Sequence, residues 1–428
     1  MKCILSFLCE DIFVISTSTK SFFNMQRYIA CLITLSLLSC SQETKKSLLK
    51  NGTYRADLEV QDDKVLPFLF EVTSPTTLKI YNAEEVIEVD DIVYRNDSVF
   101  IKTAVFEGYI AAQLTDDNLK GHFTIESIDR TVPFSATYNK ERRFESKIKP
   151  LQYVTGIWET VFSQGIADGE YMAKGVFKQD AEKVTGTFRT TTGDYRYLEG
   201  IMDGDTMKLS AFDGAHAFLF IAKVTDSTME GQFYSGNHWK EPFVAQRNEN
   251  FELPNTDELT FLKEGYDRLD FSFPNTSGER ISINDDRFKN KVVIVQIMGT
   301  WCPNCLDESK YYAKFHKNNR DKDVEIVALA FEYARTKEEA FSRIDRLKAK
   351  VGIDYPVLLA QYGTDDKAKA QEKLPMLNHV LSYPTSIFMD KTGKVRKIHT
   401  GFNGPATGDK YIEFKAEFEA FVKELLAE

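Results

Sequence analysis

The sequence predicts a multidomain chain in which an all-β region, a repeated meander or barrel, precedes an α/β domain. Three observations predict it. From about 51 to 247, short segments alternate apolar with polar residues and are broken by Gly, Asn and Asp turns. That stretch also repeats itself. Beyond about 265, long apolar runs alternate with helical periodicity in the order βαβα, which predicts a largely parallel sheet.

Residues 1–39 read as a leader and signal segment. From Met25, Arg27 supplies a short basic region, and the apolar run Leu32–Ser39 that follows is too short to span a bilayer. Leu37-Leu38-Ser39-Cys40 resembles a bacterial lipobox, which implies lipidation of Cys40 and an anchor to a membrane facing the periplasm. Residues 40–50 then form a polar tether, and Ser41 lacks the Asp that retains some lipoproteins at the inner membrane, so the outer membrane is favoured. Glu10 and Asp11 sit badly in a signal peptide and suit a mis-set start, with Met25 as the initiator. The 428 residues leave room for two or three domains, and a net charge of −10 without a basic stripe excludes nucleic acid as partner.

The β-rich region, 51–247, holds two copies, about 51–140 and 153–247. Asp97-Ser98-Val99-Phe100-Ile101 lies over Asp205-Thr206-Met207-Lys208-Leu209, and Leu119-Lys120-Gly121-His122-Phe123 over Met229-Glu230-Gly231-Gln232-Phe233. Pro133-Phe134 lies over Pro242-Phe243, while Gly52-Thr53-Tyr54 and Gly156-Ile157-Trp158 open the copies. Either two small barrels or one barrel of two halves satisfies this pattern. His122, His216 and His238 lack matched partners and read as packing or solvent-facing, so the region is a spacer or a partner-binding module. Residues 248–264 form a polar connection.

In the last part, the strand Val292–Met298 runs into Trp301-Cys302-Pro303-Asn304-Cys305, with a helix through about Asn318. A helix beginning at Pro303 places Cys302 where free backbone N–H groups and the helix dipole stabilise a thiolate, making it the attacking nucleophile. Cys305, one turn on, is the resolving thiol of a redox-active disulfide. Cys3, Cys9 and Cys31 fall in the leader and Cys40 takes the lipid, so only this pair is free to exchange. A structural zinc site needs about four ligands; His316, His379 and His399 stand singly, so neither metal nor other cofactor is expected. A strand at Val324–Ala330 and a helix opened by Thr336-Lys337-Glu338-Glu339 follow. Strands near Val357–Leu359, Ser386–Met389 and Val395–Ile398 come next, the last two joined by the turn Asp390-Lys391-Thr392-Gly393. The closing helix puts Tyr411, Phe414, Phe418, Phe421, Val422 and Leu425 on one face.

With these motifs, residues 265–428 resemble the thioredoxin fold of the TlpA/ResA-like family of extracytoplasmic thiol-disulfide oxidoreductases. Asp270–Asn275 followed by Gly278–Ile283 resembles the family's extra N-terminal hairpin, and Tyr383-Pro384-Thr385 its cis-proline loop. The resemblance implies catalytic roles for Trp301, Cys302, Cys305, Pro384 and Glu308, with Glu308 tuning the thiols and moving a proton. It implies that the Tyr383 carbonyl and the Thr385 N–H orient the substrate. Two departures stand out: Gln296 replaces the buried Asp of common thioredoxins, and Pro303 precedes Asn304 where the family often has proline second. The implied activity is reduction of disulfides in extracytoplasmic proteins, fed by a membrane-embedded thiol donor. A disulfide oxidase or isomerase, or a binding lipoprotein with an accessory redox domain, are the alternatives. A peroxiredoxin-type site is disfavoured because Thr300 stands two residues before Cys302 rather than three.

Overall fold

The computed structural model describes residues 48–428 apart from 104, 168 and 365; the leader, the signal segment and Cys40 lie outside the described residues. The first copy forms an antiparallel sheet of β1 (Gly52–Glu59), β2 (Val65–Ser74), β3 (Thr77–Asn82), β4 (Glu85–Val89), β5 (Asp91–Arg95), β6 (Ser98–Lys102), β7 (Tyr109–Thr115), β8 (Asn118–Ile125) and β9 (Arg130–Tyr138). Its order is β4-β3-β2-β1-β9-β8-β7-β6-β5, so the first and last strands pair in the middle and the sheet stays open between β4 and β5.

The second copy comprises β10 (Gly156–Phe162), β11 (Tyr171–Asp180), β12 (Lys183–Thr190), β13 (Gly193–Asp194), β14 (Leu198–Asp203), β15 (Thr206–Phe212), β16 (Ala217–Val224), β17 (Thr228–Ser235) and β18 (Trp239–Arg247). Here β11 pairs with both β10 and β12, and β10 with β18, which closes a barrel on which β13 is a short addition. Neither arrangement the repeat suggested, two small barrels or one barrel of two halves, is adopted in full: the chain forms two separate sheets, of which only the second closes. The copies superpose in register: Gly121 faces Ala112 as Gly231 faces Ala222, and Pro133 faces His122 as Pro242 faces Gln232. The barrel interior is aromatic, with Phe162, Phe188, Phe220 and Phe243 fully buried and Phe220 stacked on Phe233 at 4.5 Å. Each such ring contributes roughly 1.5–3 kcal/mol of burial.

The α/β part opens with a hairpin, β19 (Ser272–Pro274) and β20 (Arg280–Ser282). It continues through β21 (Val292–Met298), α1 (Pro303–Asn318), β22 (Val324–Phe331), α2 (Lys337–Val351), β23 (Val357–Gln361), α3 (Lys367–Lys373), β24 (Thr385–Met389), β25 (Val395–Thr400) and α4 (Asp409–Ala427). The sheet order is β23-β22-β21-β24-β25. The expectation of a largely parallel sheet needs correction: β21, β22 and β23 are parallel, but β24 runs antiparallel to β21 and to β25. The tight return at Asp390, whose Oδ1 accepts the N–H groups of Thr392 (3.0 Å) and Lys394 (3.1 Å), accounts for the antiparallel pairing of β24 with β25. α3 was not foreseen; only Ala370 of its seven residues is buried, so it carries no apolar stripe.

The connection 248–264 is docked on both sides. Glu252 pairs with Lys174 (2.6 Å), Asp257 with Lys397 (2.8 Å) and His399 (2.7 Å), and Leu262 bridges to Leu377. The α/β part also grips the first sheet through α2, where Arg343 meets Glu107, Lys350 meets Asp90 (2.8 Å) and Arg346 donates to the Thr103 carbonyl (2.7 Å). At the centre is Arg196, buried in the barrel's β13–β14 connection. Its guanidinium pairs with Glu85 of the first sheet, Asp213 of the barrel (3.4 Å) and Asp307 of α1, and donates to the Pro303 carbonyl (3.1 Å). Removing this cation strands buried carboxylates, so Arg196→Ala is expected to lower stability by about 3–5 kcal/mol. Urea unfolding checks this; a loss within experimental error would show that Arg196 does not hold the parts together.

Candidate active site

The end of β21 and the start of α1 create the site. The chain leaves the sheet at Met298, turns through Gly299–Trp301 and presents Cys302 as N-cap of α1 with Pro303 at the first helical position. Cys302 Sγ accepts the Cys305 N–H (3.2 Å) and donates to the Tyr383 carbonyl (3.4 Å). Both cysteines are free thiols, Cys302 6% exposed and Cys305 fully buried. The Tyr383–Pro384 bond is cis. Thr385 lies in register with Ile297 on one side and Thr400 on the other, and its hydroxyl donates to the Ser382 carbonyl (2.9 Å). Trp301 is fixed by its indole N–H on the Phe331 carbonyl (2.9 Å), stacks on Tyr333 at 4.0 Å and meets Tyr383 edge-on at 5.5 Å.

Glu308 lies one turn beyond Cys305, fully buried. Gln296 of β21 donates to its Oε2 (2.8 Å), and Ser386 (2.9 Å) and Tyr312 (3.2 Å) donate to Oε1. Burial pushes this carboxyl up to about 7, against the pull of those three hydrogen bonds. Cys305 is driven well above the ordinary thiol range, first by burial, then by its contact with Cys302, with the charge of Glu308 adding to it. The residue that replaces the expected Asp, Gln296, is therefore the fixed donor that holds Glu308 in place. A second buried acid, Glu332, stands behind the same loop. It accepts the N–H (2.8 Å) and hydroxyl (2.6 Å) of Thr300 and is raised by burial to about 7. Nothing in its local sequence marks it.

The barrel reaches the site directly. Asn304, between the cysteines, donates to the Asp194 carbonyl (3.1 Å), and Ser382, before the cis bond, donates to the Thr192 carbonyl (2.9 Å). Asp194 accepts the Gly404 N–H (2.6 Å), and Arg189 donates to Asn403 (3.1 Å). Gly193 makes this approach possible: its φ is +151°, and a side chain there would collide with the Asn304 amide. The hairpin turn Thr190–Asp194 thus lies over the dithiol tip and the proline loop. His216 and His238, expected to pack or face solvent, line a cavity together with Trp301, and His216 stacks on Phe218 at 4.6 Å. Asp213 lies 3.7 Å from His216. Among the described residues no cluster of three or more His, Cys, Asp or Glu could hold a metal.

These acids set a pH dependence. Glu308 and Glu332 rise from 4.5 to about 7 and Asp194 from 3.8 to about 6, all through burial. The folded chain keeps protons that the unfolded chain releases between these limits, so stability falls as pH rises from about 4 to 7. Glu332→Gln is expected to remove on the order of 2–3 kcal/mol of that fall. Urea midpoints at pH 5 and pH 7.5 (roughly the two ends of the window) check it; an unchanged slope would refute the assignment.

Residues 263–412 match the Redoxin family. The thioredoxin-like protein YneN of Bacillus subtilis (strain 168) is 29% identical over 140 residues, 33% of this chain and 73% of YneN. The thiol-disulfide oxidoreductase ResA of the same organism is 30% identical over 141 residues, 33% of this chain and 69% of ResA. Among solved structures, a thiol-disulfide oxidoreductase from Bacteroides fragilis aligns with 35% of this chain and 99% of its own, at 19% identity and a TM-score of 0.26. With ResA matched at this identity over more than two thirds of its length, and the dithiol and cis-proline loop in place, the chain belongs to the TlpA/ResA-like family of thiol-disulfide oxidoreductases.

Proposed function

We propose that the chain reduces disulfides of extracytoplasmic proteins. Cys302 attacks a client disulfide, forms a mixed disulfide and releases the client's other sulfur as a thiolate. Cys305 then loses its proton and attacks Cys302 Sγ; the Cys302–Cys305 disulfide forms, the second client thiolate leaves, and two electrons have passed to the client. The base is Glu308, whose carboxyl at about 7 sits in the same buried space as Cys305. Trp301 and Pro384 shape the site, and Tyr383 and Thr385 orient the client.

The observation that supports the exchange reading is the dithiol itself: Cys302 caps α1 against the Tyr383 carbonyl of the cis-proline loop, and Cys305 lies fully buried one turn behind it. The reductive direction is what the resemblance to the ResA-like proteins implies. The remaining elements belong to the same proposal: a lipid on Cys40 anchors the chain outside the cytoplasm, the outer membrane favoured, and a membrane-embedded thiol donor re-reduces the pair. No helix among the described residues is long and apolar enough to cross a membrane.

In cells, acid quenching and thiol alkylation should find Cys302 and Cys305 mostly reduced, with Cys305→Ser trapping clients on Cys302. A mostly oxidised pair that traps reduced clients would make this an oxidase or isomerase. In vitro, resolution of a Cys302 mixed disulfide should quicken as pH rises through about 7, because ionised Glu308 is the active form. Glu308→Gln should slow that step by roughly 10²-fold or more and flatten the profile. Rapid-quench kinetics decide, and a variant that keeps the wild-type profile removes Glu308 from the mechanism.

A further inference from the structure

A cavity of about 410 Å³ lies where the two β-rich bodies meet the dithiol loop. Phe106 and Ile128 come from the first body, Tyr195, Phe233 and Trp239 from the barrel, and Trp301 closes one wall. Its size and aromatic lining are those of a ligand pocket at a domain junction.

The polar groups around it are unbalanced in one direction. The Glu241 carboxylate is taken up by Tyr171 (2.8 Å) and Ser163 (2.6 Å), and Glu107 by Arg343 and Ser127. Arg130 forms no ion pair among the described residues, and burial weakens its hold on its proton. His216, stacked on Phe218 at 4.6 Å, makes no hydrogen bond through its buried Nδ1 but has the Asp213 carboxylate 3.7 Å from it, which leaves Arg130 as the free cation of the lining among the described residues. His238 is pushed down to about 4 by burial and by Arg130, so it is neutral beside that cation. One unpaired guanidinium next to an aromatic wall complements an aromatic group that carries a carboxylate.

We propose that this cavity is a client subsite: it receives an aromatic side chain of the polypeptide being reduced, while a neighbouring Asp or Glu carboxylate of that polypeptide pairs with Arg130. The proposal rests on the disulfide-exchange reading and names its substrate class. A polypeptide is the occupant because the wall is Trp301, the residue before Cys302, while Thr192 and Asp194 cover the Ser382 and Asn304 side. An extended chain advances about 3.3 Å per residue, so a cysteine two or three residues from the aromatic group spans from this wall to Cys302.

The test is calorimetric titration of the reduced full chain with two cysteine-free peptides. One carries Phe-Asp near a Ser in the cysteine position; the other carries Ala-Asn there. The expected result is at least tenfold tighter binding of the Phe-Asp peptide, with Arg130→Gln and, separately, Trp239→Ala each weakening it about tenfold. Trp239 is 53% exposed, so its loss spares the core, and the peptide pair on the unaltered chain is decisive without either variant. Equal binding of the two peptides overturns the proposal, as does binding of phenylpropionate with no binding of the Phe-Asp peptide. Wild-type consumption of glutathione disulfide is measured in parallel; its absence would sink the exchange reading, while the titration still decides the subsite.

Discussion

One buried cation, Arg196, holds the architecture in register. It joins Glu85 of the first sheet, Asp213 of the barrel and Asp307 of the dithiol helix, and it donates to the carbonyl of Pro303 between the two cysteines. Its pKa lies well above the usual arginine value, because the surrounding carboxylates outweigh the burial that would lower it. Desolvating such a group is costly, and buried ion pairs are weak as net stabilisers compared with apolar packing. What the cluster supplies is specificity of arrangement: sliding any one of the three parts leaves a charge buried and alone. The position of α1, and with it that of Cys302, is therefore fixed by the β-rich region as well as by its own sheet.

The β-rich region is accordingly packed against the dithiol domain along this contact. Arg196 follows directly on the turn that carries Thr192, Gly193 and Asp194 onto Ser382, Asn304 and Gly404. Gly401 completes the fit, since at φ +78° it faces the Thr192 backbone where a side chain would clash. The Cys302 thiol and the Tyr383 carbonyl are paired with each other beneath this turn. The barrel turn thus lies against the dithiol loop, and beside Trp301 the three parts leave a cavity.

What the sequence reveals follows from whether an interaction is local. The strand Val292–Met298, the N-cap at Cys302 and the capping box of Thr336 with Glu339 are set by neighbours in the chain, and all are read from it directly. The repeat is legible for the same reason, because Gly121 and Gly231 sit at equivalent points of equivalent hairpins. The choice between one barrel and two is not local; it depends on β11 meeting β12 while β4 and β5 stay apart. Arg196 and Glu332 were missed because each is an ordinary polar residue in an unremarked segment until distant elements surround it. The setting of His216 and His238 beside Trp301 is equally non-local, since it exists only once the barrel docks.

Gln296, where common thioredoxins carry a buried Asp, changes how the buried acid beside the dithiol is held. Two ionisable carboxyls facing each other across the core would compete for charge, so only one could be ionised near neutrality. With an amide on β21 there is a single acid, and the amide gives it a donor: Gln296 Nε2 to Glu308 Oε2 at 2.8 Å, with Oε1 of the same amide accepting from Ser309 at 3.2 Å. The acid is moved from the strand to the helix that bears both cysteines. Glu308 then rides on the same rigid element as Cys305, so its place relative to that thiol is set by helix geometry rather than by how strand and helix pack. Ser386 and Tyr312 complete the cage. A carboxyl balanced near neutrality by burial against three hydrogen bonds can give or take a proton at little cost, which is what exchange between a buried thiol and a passing disulfide requires.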